Sequence, residues 1–332
     1  MWDYKKFFRN REFRLKLIQA LRFIPDRPYL KLVYWLKTGQ HLNLEKPVGF
    51  NEKLNWLKLN HIHPEYTMLA DKLKVRNIIA EKIGEEYLIP ILGHWKSFED
   101  IPFQELPEKF VLKCNHDSGS VKIIDKKQLD EREMNNLAKF FAGRLSENSY
   151  YNGREYPYRD IEPCIIAEKF MKTTDDHVIN DYKFFCFNGI PYIMFIVSGR
   201  FTTEKHEDFF DMDYQWLPEI RNGETPSPVC PPKPECFEEM KRLATTLSKG
   251  IEAVRMDFYE MNGRVYFGEF TFFSAGDFCL FEPHDWEIKL GNMIQITPIR
   301  IEIRLCIGCF DSKLEISFNQ HHAAFAHKEE AA

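Results

Sequence analysis

VRMDFYEMNGRVYFGEFTFF, residues 254–273, reads as two aromatic-rich strands joined at Asn262-Gly263, a dipeptide that favours a tight antiparallel hairpin. Side chains alternate along a strand, so Arg255 and Asp257 share one face, and Glu269 and Thr271 share one face of the neighbouring strand. Register then raises a conflict. A two-residue turn pairs Asp257 with Gly268 and throws Glu269 onto the opposite face; a shift of one residue brings the carboxylates together. The sequence therefore predicts an odd-numbered connection or a bulge, with Gly263 at positive φ. Two carboxylates and a hydroxyl converging from adjacent strands suit Mg²⁺, a hard ion that takes oxygen ligands and substrate phosphates. Taken alone, the two acids repel, so neutralising either is expected to leave stability unchanged or raise it.

Outward from this hairpin, other strands carry lysines. KFVLKCNHDSGSVKII (109–124) is a pair of strands hinged on a polar loop that contains Ser118 and Gly119, with Lys113 closing the first strand. No G-x-x-x-x-G-K-[ST] and no strand–GxGxxG–helix is present, so a phosphate-binding role for the loop needs charge from elsewhere. Lys113, and Lys183 in DYKFFCFNG (181–189), supply it as point charges. CIIAEKFM (164–171) is a further apolar strand, ending in Glu168, Lys169, Phe170 and Met171. Helices are expected at 50–60, 128–146 and 236–251, and LADKLKVRNIIAEKIG (69–84) reads as one amphipathic stretch ending at Gly84.

These motifs, in the order Lys, small loop, E-K-x-[LM], Lys, R-x-D and E-x-[NT], resemble the ATP-grasp superfamily of carboxylate–amine ligases. The phrases FNEKLNWLKL, DKLKVRNIIAEKIGEEYLIP, LPEKFVLKCNHDSGS, DYKFFCFNG and FGEFTFF look like the TupA-like ATP-grasp family of polysaccharide gene clusters, over about residues 40–295. The resemblance implies an α+β ATP-grasp fold, two subdomains clasping ATP behind a helical N-terminal region. The corresponding division is 1–95 helical, 96–170 small subdomain, 171–297 large subdomain, and a tail of unassigned role at 298–332. It implies that Lys113, Ser118, Gly119 and Lys183 meet the phosphates and that Glu168 to Met171 form a hinge against adenine. Asp175 or Asp176 is the implied ribose partner. Asp257, Glu269 and Thr271 are the implied Mg²⁺ ligands, with Thr271 standing where relatives outside this family carry Asn. Arg255 and Lys183 are the implied catalytic residues, with Arg255 stabilising charge on the acyl phosphate and tetrahedral intermediate. The implied reaction joins a carboxylate, a uronic acid of a cell-surface polysaccharide or precursor, to an amino acid or peptide amine.

Bulk properties agree with an ordinary globular chain. It has 332 residues, 44% hydrophobic and 29% charged, with a formal charge of −5 that gives no reason to expect nucleic acid. Eight cysteines, scattered singly, suit buried thiols in a reducing cytoplasm. The basic stretch at 1–24 reads either as a solvated helix face or as a surface resting on an anionic inner membrane. Asp211-x-Asp213 supplies a rival reading, a glycosyltransferase that holds a metal–nucleotide-sugar. Cys306, Cys309, His322 and His327 meet a zinc-finger spacing, but Lys313 and Asn319 stand where an apolar core is needed.

Overall fold

The structure, a computed structural model, describes residues 20–171, 180–199 and 205–296, with two three-residue strands at Ile301–Ile303 and Leu314–Ile316. Asp175, Asp176, the first 19 residues and the Cys/His set of the tail lie outside the described residues.

Two antiparallel sheets face a common cleft. The small sheet has the order β1 (Ile91–Trp95), β4 (Ile165–Lys169), β2 (Lys109–Cys114), β3 (Lys122–Asp125). Strand β1 lies within the stretch expected to be helical, so the small sheet begins before residue 96. On β2, Phe110 and Leu112 point into a core shared with Leu137 and Phe141 of helix Glu131–Leu145, while Val111 and Lys113 point to the cleft. The 15 residues of that helix start at the Asp130 side chain, which accepts the Glu133 N–H.

The large sheet has the order β7 (His206–Asp211), β6 (Ile190–Ser198), β5 (Asp181–Phe187), β8 (Val254–Met261), β9 (Arg264–Thr271). Helix Phe237–Ser248 buries Met240, Leu243, Ala244 and Leu247 on one stripe, packed with Phe184 and Phe258. Lys183 and Phe185 alternate to the opposite face. There the N-terminal helix α2 (Phe50–Asn60), which follows α1 (Asp26–Thr38), covers the apolar half, with the Phe50 ring edge-on to Phe185 and Phe187 at 5.7 and 6.2 Å. The uncovered half of that face carries Asp181 and Lys183.

The expected helix over 69–84 is instead two, α3 (Tyr66–Ala70) and α4 (Val75–Lys82). Asp71 causes the break. Its Oδ1 accepts the N–H groups of Leu73 and Lys74, at 2.9 and 3.3 Å, and the Asn115 amide at 3.0 Å. A short polar side chain that satisfies these donors competes with helix continuation.

Candidate active site

The hairpin of β8 and β9 resolves its register conflict with a bulge. The turn is a plain two-residue one, Asn262 and Gly263 at φ 53° and 68°, closing the pair Met261–Arg264. Pairing then runs Phe258 with Phe267 but Asp257 with Glu269, leaving Gly268 as the extra residue. A Cβ at Gly268 would lie 2.9 Å from the Asp257 carbonyl oxygen, so the close approach requires glycine. The bulge keeps Phe267 and Phe270, only three apart, in the same buried core and turns Glu269 toward Asp257.

Charge on this face is densely paired. Lys183 sits across from Asp257 in β5, donates to Asp257 Oδ2, and lies 3.5 Å from Asp181 Oδ2. Arg255 grips Asp257 with Nε and Nη2 at 2.7 and 2.8 Å, and reaches Ser274 Oγ at 2.7 Å and Thr271 Oγ1 at 3.1 Å. Burial opposes the Arg255 charge, but Asp257, Glu269 and Asp181 more than restore it, so its pKa rises. Burial also pushes Glu269 up, yet Lys72, Lys183 and Arg255 outweigh it and hold the carboxyl down at about 2. The expectation that the acids merely repel is therefore reversed. Asp257 is buried against two cations, and neutralising it strands them.

On the small sheet, Lys113 pairs with Glu168 at 2.7 Å, and Arg76 of α4 approaches the other Glu168 oxygen at 3.7 Å. The loop between β2 and β3 is braced from below. Ser120 Oγ accepts the Cys114 N–H at 2.8 Å and donates to Asp117 Oδ1. Arg144, 4% exposed, pairs with Asp117 at 2.6 Å and donates to the Ser118 carbonyl. Gly119 takes φ 84° at the tip.

Lys72 went unnoticed in the sequence, hidden in what reads as a continuous helix. It sits in the break made by Asp71, donates to the Asp117 carbonyl at 2.8 Å, and lies 3.2 Å from Glu269 Oε2. It thus ties the small-sheet loop to the large-sheet carboxylates. Asp71 followed by two lysines and an apolar run is the signal that marks it, as a helix start rather than a helix interior.

Lys72, Lys113, Ser118, Gly119, Glu168, Lys169, Phe170, Met171, Lys183, Asp257 and Glu269 all line one cleft of about 360 Å³, with Val111, Ile89 and Met261 supplying apolar wall. Arg255 and Thr271 lie outside that lining, beside Ser274 in a smaller adjoining space. Thr271 Oγ1 is engaged by Arg255 and stands 3.4 Å from Glu269 Oε1. Cys114 also lines the cleft, but burial pushes its thiol up to about 12, so it stays protonated. Asp211 is elsewhere: its Oδ1 accepts the N–H groups of Asp213 and Gln215, at 2.9 and 2.8 Å, closing a turn at the end of β7.

A sequence model of the family described as TupA-like ATPgrasp matches residues 52–295. The chain belongs to the TupA-like ATP-grasp family. The matched region holds every described cleft residue named above. No curated protein matches the chain. Among solved structures it is similar to the D-alanine–D-alanine ligase of Bacillus anthracis complexed with ATP, at 17% identity and a TM-score of 0.40, over 68% of this chain and 65% of that one. It is also similar to the D-alanine–D-alanine ligase of Helicobacter pylori (12%, TM-score 0.38, 74% and 69%). A third likeness is to the phosphoribosylamine–glycine ligase of Thermotoga maritima (12%, TM-score 0.35, 62% and 48%). The chain spans somewhat less than two thirds of the length of the Bacillus relative.

Proposed function

We propose that this TupA-like ATP-grasp chain is an ATP-dependent carboxylate–amine ligase. The observation that carries the reading is the Gly268 bulge, which sets Asp257 and Glu269 across from one another beside Lys183, facing lysines of a second sheet. Such an arrangement fits a triphosphate entering between the sheets. Lys113, Lys72 and Lys183 would meet its phosphates, with Ser118 and Gly119 covering them. Residues Glu168 to Met171 and the apolar wall would take the base, and Asp175 or Asp176 the ribose.

The donor set fits Mg²⁺. Asp257 and Glu269 offer only oxygen, and Glu269 is held ionised despite its burial. Bound there, the ion would neutralise phosphate charge. Thr271 we assign to steadying Arg255 rather than to a ligand position, since its hydroxyl already accepts from the guanidinium.

In the reaction a substrate carboxylate oxygen attacks the γ-phosphorus, the bond to ADP breaks, and an acyl phosphate forms. The amine then attacks the carbonyl carbon, and phosphate leaves with the C–O bond as a proton departs from nitrogen. Arg255, kept protonated by Asp257, would stabilise the charge of the acyl phosphate and then the negative charge on the carbonyl oxygen of the tetrahedral intermediate. We further propose a uronate-containing sugar as carboxylate and an amino acid or peptide as amine, a reading that rests on the family's polysaccharide setting. We also propose that the reaction is cytoplasmic, in keeping with the proposed use of ATP. Among the described residues no helix is long and apolar enough to cross a membrane.

The test is product analysis. ATP, Mg²⁺, a uronate and hydroxylamine should give a hydroxamate, with ADP and phosphate in equal amounts. Arg255→Ala should lower that rate far more than it weakens ATP binding. AMP and pyrophosphate as products, or a nucleotide-sugar consumed while ATP is untouched, would refute the mechanism.

A further inference from the structure

Away from the cleft, the loop leaving α2 reads His61-Ile62-His63-Pro64-Glu65. Ile62 turns into the core, which leaves the two flanking imidazoles on one side. There they meet Glu252, just before β8. His61 Nδ1 lies 3.3 Å from His63 Nε2 and 3.4 Å from Glu252 Oε1, and His63 Nε2 lies 3.9 Å from the same oxygen. Three ligand atoms held 2.0–2.1 Å from a tetrahedral centre are about 3.3 Å apart. The observed triangle is within a few tenths of an ångström of that figure on all but its longest side.

The surroundings prepare these atoms for a cation. His63 Nδ1 is 3.1 Å from Glu65 Oε1, and a carboxylate only accepts, so Nδ1 carries the hydrogen and Nε2 keeps its lone pair. A carboxylate behind a histidine in this way is what orients ligands at metal centres. The second Glu252 oxygen accepts from the Tyr66 hydroxyl at 3.1 Å, which fixes the carboxylate plane. The Tyr66 ring stacks on His63 at 4.7 Å and on Phe272 at 4.2 Å, so the cluster rests on the core. A single proton on His61 Nδ1 serves one acceptor at a time; a dication serves all three groups.

We propose that His61, His63 and Glu252 form a binding site for a divalent transition ion of the zinc class, with water completing the fourth position. Two imidazoles and one carboxylate favour such an ion over Mg²⁺, which prefers oxygen alone. The side chains are 36%, 27% and 24% exposed, so the ion enters from solvent without unfolding the chain. His61 ends α2, and Glu252 stands three residues before Arg255. The ion therefore fastens the N-terminal helical layer to the root of the strand that carries Arg255. This proposal is independent of the ligase reading.

The experiment uses the full chain, stripped of metal, in millimolar Mg²⁺ and ATP so that the cleft carboxylates are occupied. Calorimetric titration with Zn²⁺ should give one equivalent bound and a raised thermal midpoint. His61→Ala and His63→Ala should each weaken binding by ~100-fold or more, and Glu65→Ala by about 10-fold, in line with loss of an orienting partner. Retained ATP binding separates site loss from misfolding, and His63→Gln gives a second, more conservative variant. In zinc-soaked crystals, anomalous scattering at the zinc edge should peak among the three ligand atoms. No binding, binding undiminished by the histidine variants, or a peak only between Asp257 and Glu269 would each overturn the site.

Discussion

On the large sheet, Lys183, Asp257 and Glu269 stand across from one another on three adjacent strands, so backbone pairing sets their spacing. On the small sheet, the loop after β2 owes its shape to side chains, with Arg144 holding Asp117 and the Ser118 carbonyl and Lys72 holding the Asp117 carbonyl. The first region keeps its backbone pairing when one charged side chain changes, and loses counter-charge and chemistry. The second loses geometry when a single side chain is removed. Variants in each region should therefore fail differently.

The largest effect belongs to the sheet. Asp257→Asn and Glu269→Gln each remove a charged oxygen from the end of the cleft proposed to take the phosphates, and turnover should fall by ~100-fold or more. Their stabilities should diverge. Asp257→Asn leaves half-buried Arg255 and Lys183 without a full counter-charge at a buried position and should cost on the order of a few kcal/mol. Glu269 is more exposed and faces a shared Lys72, so Glu269→Gln should cost less. Single-turnover rates and denaturant melts measure both, and normal turnover in either variant would break the assignment.

Next comes the loop. Arg144→Met removes the brace beneath Ser118 while keeping the aliphatic bulk over Phe140. The KM for ATP should rise about 10-fold with kcat changed less, since in the proposed reading the loop positions phosphates and Arg144 touches none. An equal fall in kcat with KM unchanged would place Arg144 in the chemistry instead.

How much of this was legible in the sequence follows the same division. Strand alternation and the Asn-Gly turn sufficed to deduce that Asp257 and Glu269 meet only through a register shift, and Gly268 is where that shift occurs. Period-two patterns and local turn chemistry are readable because they depend on near neighbours. Lys72 and Arg144 went unread. Each acts through a loop 45 or 26 residues away; Asp71 ahead of Lys72 marks a helix start but not what the lysine reaches, and Arg144 sits in an ordinary amphipathic helix. Strand β7 was missed for another reason: HEDFFD looks acidic and exposed, but Phe209 and Phe210 are fully buried and Asp208 is occupied by Ser227. The His61, His63 and Glu252 cluster escaped as well, because its members are separated by some 190 residues of intervening fold.

Acidity divides two glutamates of the large-sheet side. Burial raises Glu269 but Lys72, Lys183 and Arg255 bring it down to about 2, so its contribution to stability is complete above pH 4.5 and is lost as pH falls toward 2. Glu155 has the opposite sign. Burial lifts it to about 7, against the pull of Lys58 and Lys37, so the folded state binds a proton that the unfolded state releases. Wild-type stability should therefore decline as pH rises from about 4.5 to 7 on this account. Glu155→Gln removes that decline. Its advantage should be near zero at pH 4 and on the order of 1–3 kcal/mol at pH 8. Urea melts at the two pH values measure it, and an advantage that is greatest at pH 4 would invert the sign and sink the reading.

The smallest effect is expected where the rival reading put the chemistry. Asp211 and Asp213 lie at the end of edge strand β7, and the Asp211 carboxylate is already engaged by two backbone N–H groups of its own turn. A carboxylate held in that way keeps few lone pairs for a metal–nucleotide, and neither aspartate lines the cleft. Asn at either position retains an acceptor oxygen, so the turn survives at a cost of about 1 kcal/mol or less. ATP-dependent turnover of Asp211→Asn and Asp213→Asn should stay within about threefold of wild type, against the ~100-fold loss at Asp257. If these variants instead abolish turnover while ATP binding and the melting curve stay unchanged, the comparison between the sheets fails, and the nucleotide-sugar reading takes its place.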